Sequence, residues 1–132
     1  MGTGGTLVGL YEGLADAGCA PVAVLAKPIT FKGEIECCSF SCKIPGVVDS
    51  VSTIFRHGRL PRLATIEVED HDALATAREL GRLGYPVGPS SGLNFEAALE
   101  ISRKLGKDSV VVTVFPDRME RYFTTDLFLP YR

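Results

Sequence analysis

The residues best suited to chemistry gather in two glycine-rich turns and one charged, aromatic tail. The first turn is Gly2-Thr3-Gly4-Gly5-Thr6. Glycines there let backbone N–H groups converge without obstruction from a Cβ, and a following helix adds unpaired amides and the positive end of its dipole. Such a turn suits an anion, most often phosphate, and the threonine hydroxyls can add donors. Two familiar phosphate motifs do not fit. The dinucleotide fingerprint needs a third glycine where Leu7 stands, and the P-loop needs a lysine where Leu10 stands. Alone, the turn is as compatible with a flexible glycine-rich start. The second turn is Gly88-Pro89-Ser90-Ser91-Gly92. Two hydroxyls at a helix start ordinarily act as caps. No histidine stands nearby in sequence as a base, so neither serine reads as a hydrolase nucleophile. The tail runs from Pro116 through Asp117, Arg118, Glu120, Arg121 and Tyr122 to Phe128; by composition its charges read as solvated surface pairs.

Cysteine and histidine add no site of their own. Cys19, Cys37, Cys38 and Cys42 are too few for a disulfide framework. No second Cys or His pair completes a zinc set, and His57 and His71 stand apart, so no metal is expected. The role of Cys37, Cys38 and Cys42 is left open.

The elements that must position these turns follow from periodicity. Leu7, Leu10, Leu14 and Ala17 recur at helical spacing, with Gly18 as a stop. Pro21 to Ala26 and Ala64 to Val68 read as strands. Asp70 is placed as the N-cap of a second helix whose apolar face is Ala73, Leu74, Ala77 and Leu80, ending at Gly84. A third helix follows the serine turn, with Phe95, Ala98, Leu99 and Ser102 on one side and Gly106 as its end. Ser109 to Phe115 is β-branched and continuously apolar, as expected of a strand covered on both faces. Helices alternating with short apolar strands predict an α/β fold with a mostly parallel sheet flanked by helices, and ligands beyond the carboxyl ends of its strands.

In combination the three chemical stretches are more specific than any one of them. A G-T-G-G-T turn, then Lys43-Ile44-Pro45-Gly46, then a G-x-S-S-G turn, then a strand closing in P-D-x-x-E-R-Y-x-x-T-x-L-F occur in that order over nearly the whole chain. This order resembles the second half of the cysteine synthase family, the fold type II pyridoxal-phosphate enzymes. The family shows G-T-G-G-T, K-I-x-G, G-I-S-S-G and P-D-x-G-E-R-Y-x-S-T-x-L-F. The resemblance implies an incomplete tryptophan synthase β-like scaffold and pyridoxal 5'-phosphate as cofactor. It assigns Gly2, Thr3, Gly4, Gly5 and Thr6 to the cofactor phosphate, and Ser90 to the hydroxyl that hydrogen-bonds the pyridine nitrogen. A neutral serine leaves that ring largely unprotonated, which makes it a weaker electron sink and suits β-replacement.

The departures concern substrate more than cofactor. Lys27-Pro28 stands where the family often has Glu-Pro, Pro89 replaces an aliphatic residue, and Met119 replaces a glycine. Leu93-Asn94-Phe95 is bulkier than the small residues usual after the serine turn, and the stretch after Pro45 lacks the usual glycine-rich continuation. The resemblance also implies a Schiff-base lysine far upstream of the phosphate loop. Lys27, Lys32, Lys43, Lys104 and Lys107 all lie downstream of it. No catalytic residue is therefore assigned, because this chemistry needs that lysine as nucleophile and base.

A length of 132 residues suits one domain. The expected domain is residues 1–132, the C-terminal portion of such an enzyme with the N-terminal half absent. A net charge of −2 gives no reason to expect nucleic acid or an anionic membrane as partner. No apolar stretch is long enough to span a bilayer and no secretory signal is visible, so a cytoplasmic location is expected. The expected function is the cofactor-binding portion of a cysteine synthase-like enzyme, inactive as a lone chain, acting with a small amino-acid substrate in the complete enzyme. O-acetylserine, O-phosphoserine, and homocysteine with serine all remain open as substrates. The alternative is a truncated phosphate- or partner-binding module without catalysis. Exposed apolar faces are expected to cover themselves with the missing half or by self-association.

Overall fold

The computed structural model of this chain describes residues 4–30, 44–45, 47 and 60–131. Gly2, Thr3, Lys43 and Cys37, Cys38 and Cys42 lie outside the described residues.

The elements follow the expected order. Helix α1 spans Gly5–Asp16, strand β1 Ala23–Ile29, strand β2 Leu63–Glu69, helix α2 Asp70–Arg82 and helix α3 Pro89–Leu105. Two short 3-10 turns, Met119–Tyr122 and Asp126–Tyr131, close the chain. The expected helix stops Gly18, Gly84 and Gly106 all have positive φ, at 83°, 94° and 80°. The architecture is α/β, with β1 and β2 forming a parallel pair in register from Ala23 opposite Leu63 to Ile29 opposite Glu69. β1 extends past the predicted Ala26 because this ladder continues through Lys27, which faces Glu67 at 2.8 Å. Both side chains are well exposed, so the pair adds at most about 1 kcal/mol.

The core forms where β2 meets two helices. Ile66 and Val68 point inward while Thr65 and Glu67 point out, the alternation of a half-buried strand. With Ile44, Ala73, Leu93 and Ala97 they form one buried cluster, and Val24, Ala26, Val47 and Ile101 pack against it. On α2 the predicted face is the observed one: Ala73, Leu74, Ala77 and Leu80 are all buried. α2 and α3 touch closely at Gly92, where a Cβ would run into the carbonyl oxygen of Ala73 and the backbone of Ala77. A second cluster joins α2 to the tail through Leu74, Ala77, Tyr122 and Leu127. The Arg78 guanidinium ties the same two parts by donating to the carbonyls of Leu127 (2.9 Å) and Asp126 (2.5 Å).

Three expectations are corrected. Asp70 is the first residue of α2, and its N-cap is Glu69. Asp70 is buried, and its carboxylate accepts from the Thr30 hydroxyl at 2.9 Å, fastening the end of β1 to the start of α2. The buried face of α3 is Pro89, Ser91, Gly92, Leu93 and Ala97, not Phe95, Ala98, Leu99 and Ser102. Small residues mark this close helix contact, and a reading that ranks positions by side-chain size misses them. Finally, Ser109 to Phe115 forms no strand ladder among the described residues. Val110 is 89% exposed and Val112 60%. β-Branched composition fits a pleated surface but does not supply the hydrogen-bonding neighbour that makes a strand.

Candidate functional site

The start of α1, the first turn of α3 and the segment that was expected to be a strand converge on one open cavity of about 890 Å³. Gly4, Gly5 and Thr6 line it from one side, Ser90, Leu93 and Asn94 from another, and Val24, Leu25 and Ala26 of β1 form part of its wall. Val112 to Asp117 and the pair Arg121 and Tyr122 complete it. Its β1 residues come from the first half of that strand, not from its carboxyl end. The volume lies within the ~300–1,000 Å³ usual for small-molecule sites.

The N-cap of α1 is Gly4, a buried residue with φ 80° and ψ −2°. That left-handed conformation costs an L-residue with a Cβ about 1–2 kcal/mol. The first ladder bond is Val8 N–H to the Gly4 carbonyl at 3.0 Å, so the amides of Thr6 and Leu7 lie ahead of the ladder, at residues that border the cavity. The first turn of α1 carries no acidic residue, and neither does that of α3. The first turn of α2, by contrast, carries Asp70 and Asp72. The two helix starts at the cavity are thus not neutralised by a carboxylate of their own first turn.

α3 starts differently. Gly88 is its N-cap in an extended conformation, Pro89 occupies the first helical turn, and no side chain caps the helix. Pro89 is favourable there, since its missing N–H has no partner in a helix start anyway. The two serines therefore lie inside the helix and are not its caps. Ser90 is half-buried and lines the cavity. Ser91 is fully buried, and its hydroxyl has no hydrogen-bond partner among the described residues.

The tail holds this start in place. Gly88 N–H donates to the Asp117 carbonyl at 3.1 Å, Met119 N–H to the Pro86 carbonyl at 3.0 Å, and Val87 forms an antiparallel bridge with Arg118. The Tyr122 hydroxyl donates to Asp117 Oδ2. Tyr122 is 8% exposed. Its hydroxyl pKa is pushed up to about 12, first by burial and then by its hydrogen bond to Asp117 and that carboxylate's charge, with Arg121 pulling weakly the other way. Asn94 Nδ2 donates to the Val114 carbonyl at 3.0 Å and so fixes the cavity-lining segment. Phe115 rests edge-on against Phe95 and Tyr85, with ring centres 6.0 and 6.3 Å away.

Of the sequence-assigned site residues, Gly4, Gly5, Thr6 and Ser90 come to one cavity. Asp117, Tyr122 and Asn94 were missed: in sequence they read as a solvated tail and a bulky helix position. The signal available was the interval between Asp117 and Tyr122, one short turn, but nothing local shows that the turn faces Gly88. His71 Nδ1 lies 3.0 Å from Asp72 Oδ1, and with Glu69 these side chains offer ligand atoms within 4.8 Å of one another, a grouping of one exposed and two half-buried residues at the start of α2 and apart from the cavity.

Comparison with known proteins gives the family and the fold. Residues 1–117 match the family described as pyridoxal-phosphate dependent enzyme, and the chain belongs to that family. The chain is 36% identical to cysteine synthase B of Campylobacter jejuni over 133 residues, which is 97% of this chain and 42% of that protein. It is 33% identical to a probable cysteine synthase of Bacillus subtilis, over 96% of this chain and 41% of that one. A hydrogen sulfide-producing enzyme, solved with an α-aminoacrylate intermediate, superposes with a TM-score of 0.81 at 33% identity, covering 98% of this chain and 39% of that one. The O-acetylserine dependent cystathionine β-synthase of Helicobacter pylori gives 0.74 at 29% identity, over 98% and 42%. The chain thus spans about two fifths of the length of these relatives, and the expected α/β scaffold of fold type II pyridoxal-phosphate enzymes is met over that part. Among the described residues no helix is long and apolar enough to cross a membrane.

Proposed function

We propose that this chain forms the cofactor-holding side of a cysteine synthase-like β-replacement enzyme, one that joins sulfide to an activated serine. The observation that carries this reading is the meeting of Gly4, Gly5 and Thr6 with Ser90 in one cavity, although they come from distant parts of the chain. In this reading residues 1–132 are one domain, the portion C-terminal to a lysine-bearing segment, and the enzyme is cytoplasmic.

The residues present fit pyridoxal 5'-phosphate. Gly2 to Thr6 hold its phosphate through backbone amides and hydroxyls at the positive end of α1. Ser90 would donate its hydroxyl to the ring nitrogen and so favour the unprotonated ring. The bound cofactor supplies the electron sink for loss of the β-substituent and addition of a new one. Val24 to Ala26 and Leu93 line the cavity with apolar groups that would limit water around a bound ring. None of the lysines in residues 1–132 is assigned as base, so β-replacement draws on residues outside this stretch.

Two measurements test the reading. Calorimetry with pyridoxal phosphate is expected to show binding that Gly4→Ala and Ser90→Ala each weaken. Borohydride reduction after incubation, followed by peptide mapping, is expected to show no single stoichiometrically labelled lysine. Labelling of one lysine together with β-replacement activity of residues 1–132 would contradict the proposal.

A further inference from the structure

Resting on the reading of Ser90 above, we propose that Tyr122 and Asp117 form a positioning pair that sets the first turn of α3 and thereby the direction of the Ser90 hydroxyl. The observations lie on both sides of that turn. Gly88, two residues before Ser90, has the space of its missing Cβ filled by Asp117 Oδ1 and the Tyr122 ring. The same glycine donates its N–H to the Asp117 carbonyl at 3.1 Å. Asp117 thus grips the helix start with backbone and side chain together. Its carboxylate is held in turn by the Tyr122 hydroxyl at Oδ2, while Oδ1 is buried without a hydrogen-bond partner among the described residues.

A buried carboxylate oxygen without a donor is costly. It lies beside the start of α3, a helix with no carboxylate in its own first turn. α3 has no side-chain cap either. The tail therefore anchors the residue that begins this helix, through the Gly88 N–H, and leaves both serines free of capping. On the opposite side, Gly92 is locked against Ala73 and Ala77, so the first turn of α3 is fixed at both ends. Ser90 lies between these two contacts and on the cavity wall, as do Asp117 and Tyr122. Tyr122 acts on the ring-facing hydroxyl through Asp117, as a positioning residue.

The test uses pyridoxine 5'-phosphate, which has the ring nitrogen and the phosphate but no aldehyde, with inorganic phosphate as control. Affinities are measured by calorimetry on the full chain, and the ring-nitrogen ¹⁵N shift of the bound ligand is read by NMR. Tyr122→Phe, which keeps the ring against Gly88, is expected to lower pyridoxine phosphate affinity about fivefold and to leave phosphate affinity unchanged. It also moves the nitrogen shift toward the free-ligand value, as Ser90→Ala does. In the Ser90→Ala background Tyr122→Phe has no further effect, because both act on one hydrogen bond. Asp117→Asn reproduces the selective loss by a second route. Equal loss of both ligands in Tyr122→Phe, or additive effects of Tyr122→Phe and Ser90→Ala, overturns the pairing. If Ser90→Ala is selective and Tyr122→Phe and Asp117→Asn are silent, the site reading stands and this inference falls. If the wild-type chain binds pyridoxine phosphate no better than phosphate, both fall.

Discussion

α1 and α3 both start beside a glycine and both turn their first residues toward the same cavity, yet the two glycines answer different needs. Gly4 is required for its backbone: φ is 80°, a region that residues with a Cβ enter at a cost. Gly88 has an ordinary extended backbone and is required for its emptiness, because Asp117 and Tyr122 occupy the space beside it. The consequence is a division of work. The start of α1 presents backbone amides, which suit an anion regardless of what it carries. The start of α3 is braced by the tail and presents one chosen side chain, Ser90. α2 is the contrast to both: its first turn carries Asp70 and Asp72, so its positive end is already answered.

The comparison breaks most visibly if the two glycines are exchanged for alanine. Gly88→Ala is expected to cost about 3 kcal/mol, since a Cβ there must displace a buried carboxylate and a tyrosine ring. Urea unfolding measures this, and a loss below that of Gly4→Ala would remove the distinction.

A second effect, of at most about 3 kcal/mol, comes from alkaline pH. The Tyr122 hydroxyl is raised to about 12 in the fold, against about 10 when unfolded. Between those values the folded chain keeps a proton that the unfolded chain has lost, so stability falls as pH rises. The contribution is fully present below pH ~10 and is gone above about 12. Tyr122→Phe is expected to flatten that window in denaturant titrations across pH; an unchanged slope would show that Tyr122 does not titrate as an isolated buried phenol.

Gly4→Ala is smaller in stability, about 1 kcal/mol from backbone strain, but it is the change that weakens phosphate binding, which Gly88→Ala affects less. Isothermal calorimetry with inorganic phosphate checks the reversed order. The smallest effects separate the two serines. Ser91→Ala removes a buried hydroxyl that has no partner among the described residues and is expected to stabilise by up to about 1 kcal/mol. Ser90→Ala is expected to stay within about 0.5 kcal/mol in thermal melts of the ligand-free chain. Destabilisation by Ser91→Ala would mean that its hydroxyl has an acceptor.

Much of this was legible in the sequence because it is local. The apolar stripe of α2 and the glycine stops after each helix depend on near neighbours, and they appear where periodicity puts them. What depended on distant partners was not legible. The Ser109–Phe115 run has strand composition, but a strand is made by its neighbour. The buried face of α3 was misplaced because Gly92 and Ser91 say nothing about packing until α2 is beside them. Asp70 looked like a cap because its real partner, Thr30, lies far back in the chain. The site divided the same way: the serine turn and the glycine loop carried motif signals, whereas the bracing by Asp117 and Tyr122 is a tertiary fact that leaves only a short charged turn in sequence.

Amide chemical-shift mapping with two ligands tests the central claim most directly. Inorganic phosphate is expected to perturb the amides from Gly4 to Leu7 and to leave Ser90 unchanged. Pyridoxine 5'-phosphate is expected to perturb both groups, with Ser90 responding at the same ligand concentration as Gly4. Perturbations from pyridoxine phosphate that avoid Ser90, or that centre on the Arg78 and Arg82 side of α2, would contradict the assignment of this cavity.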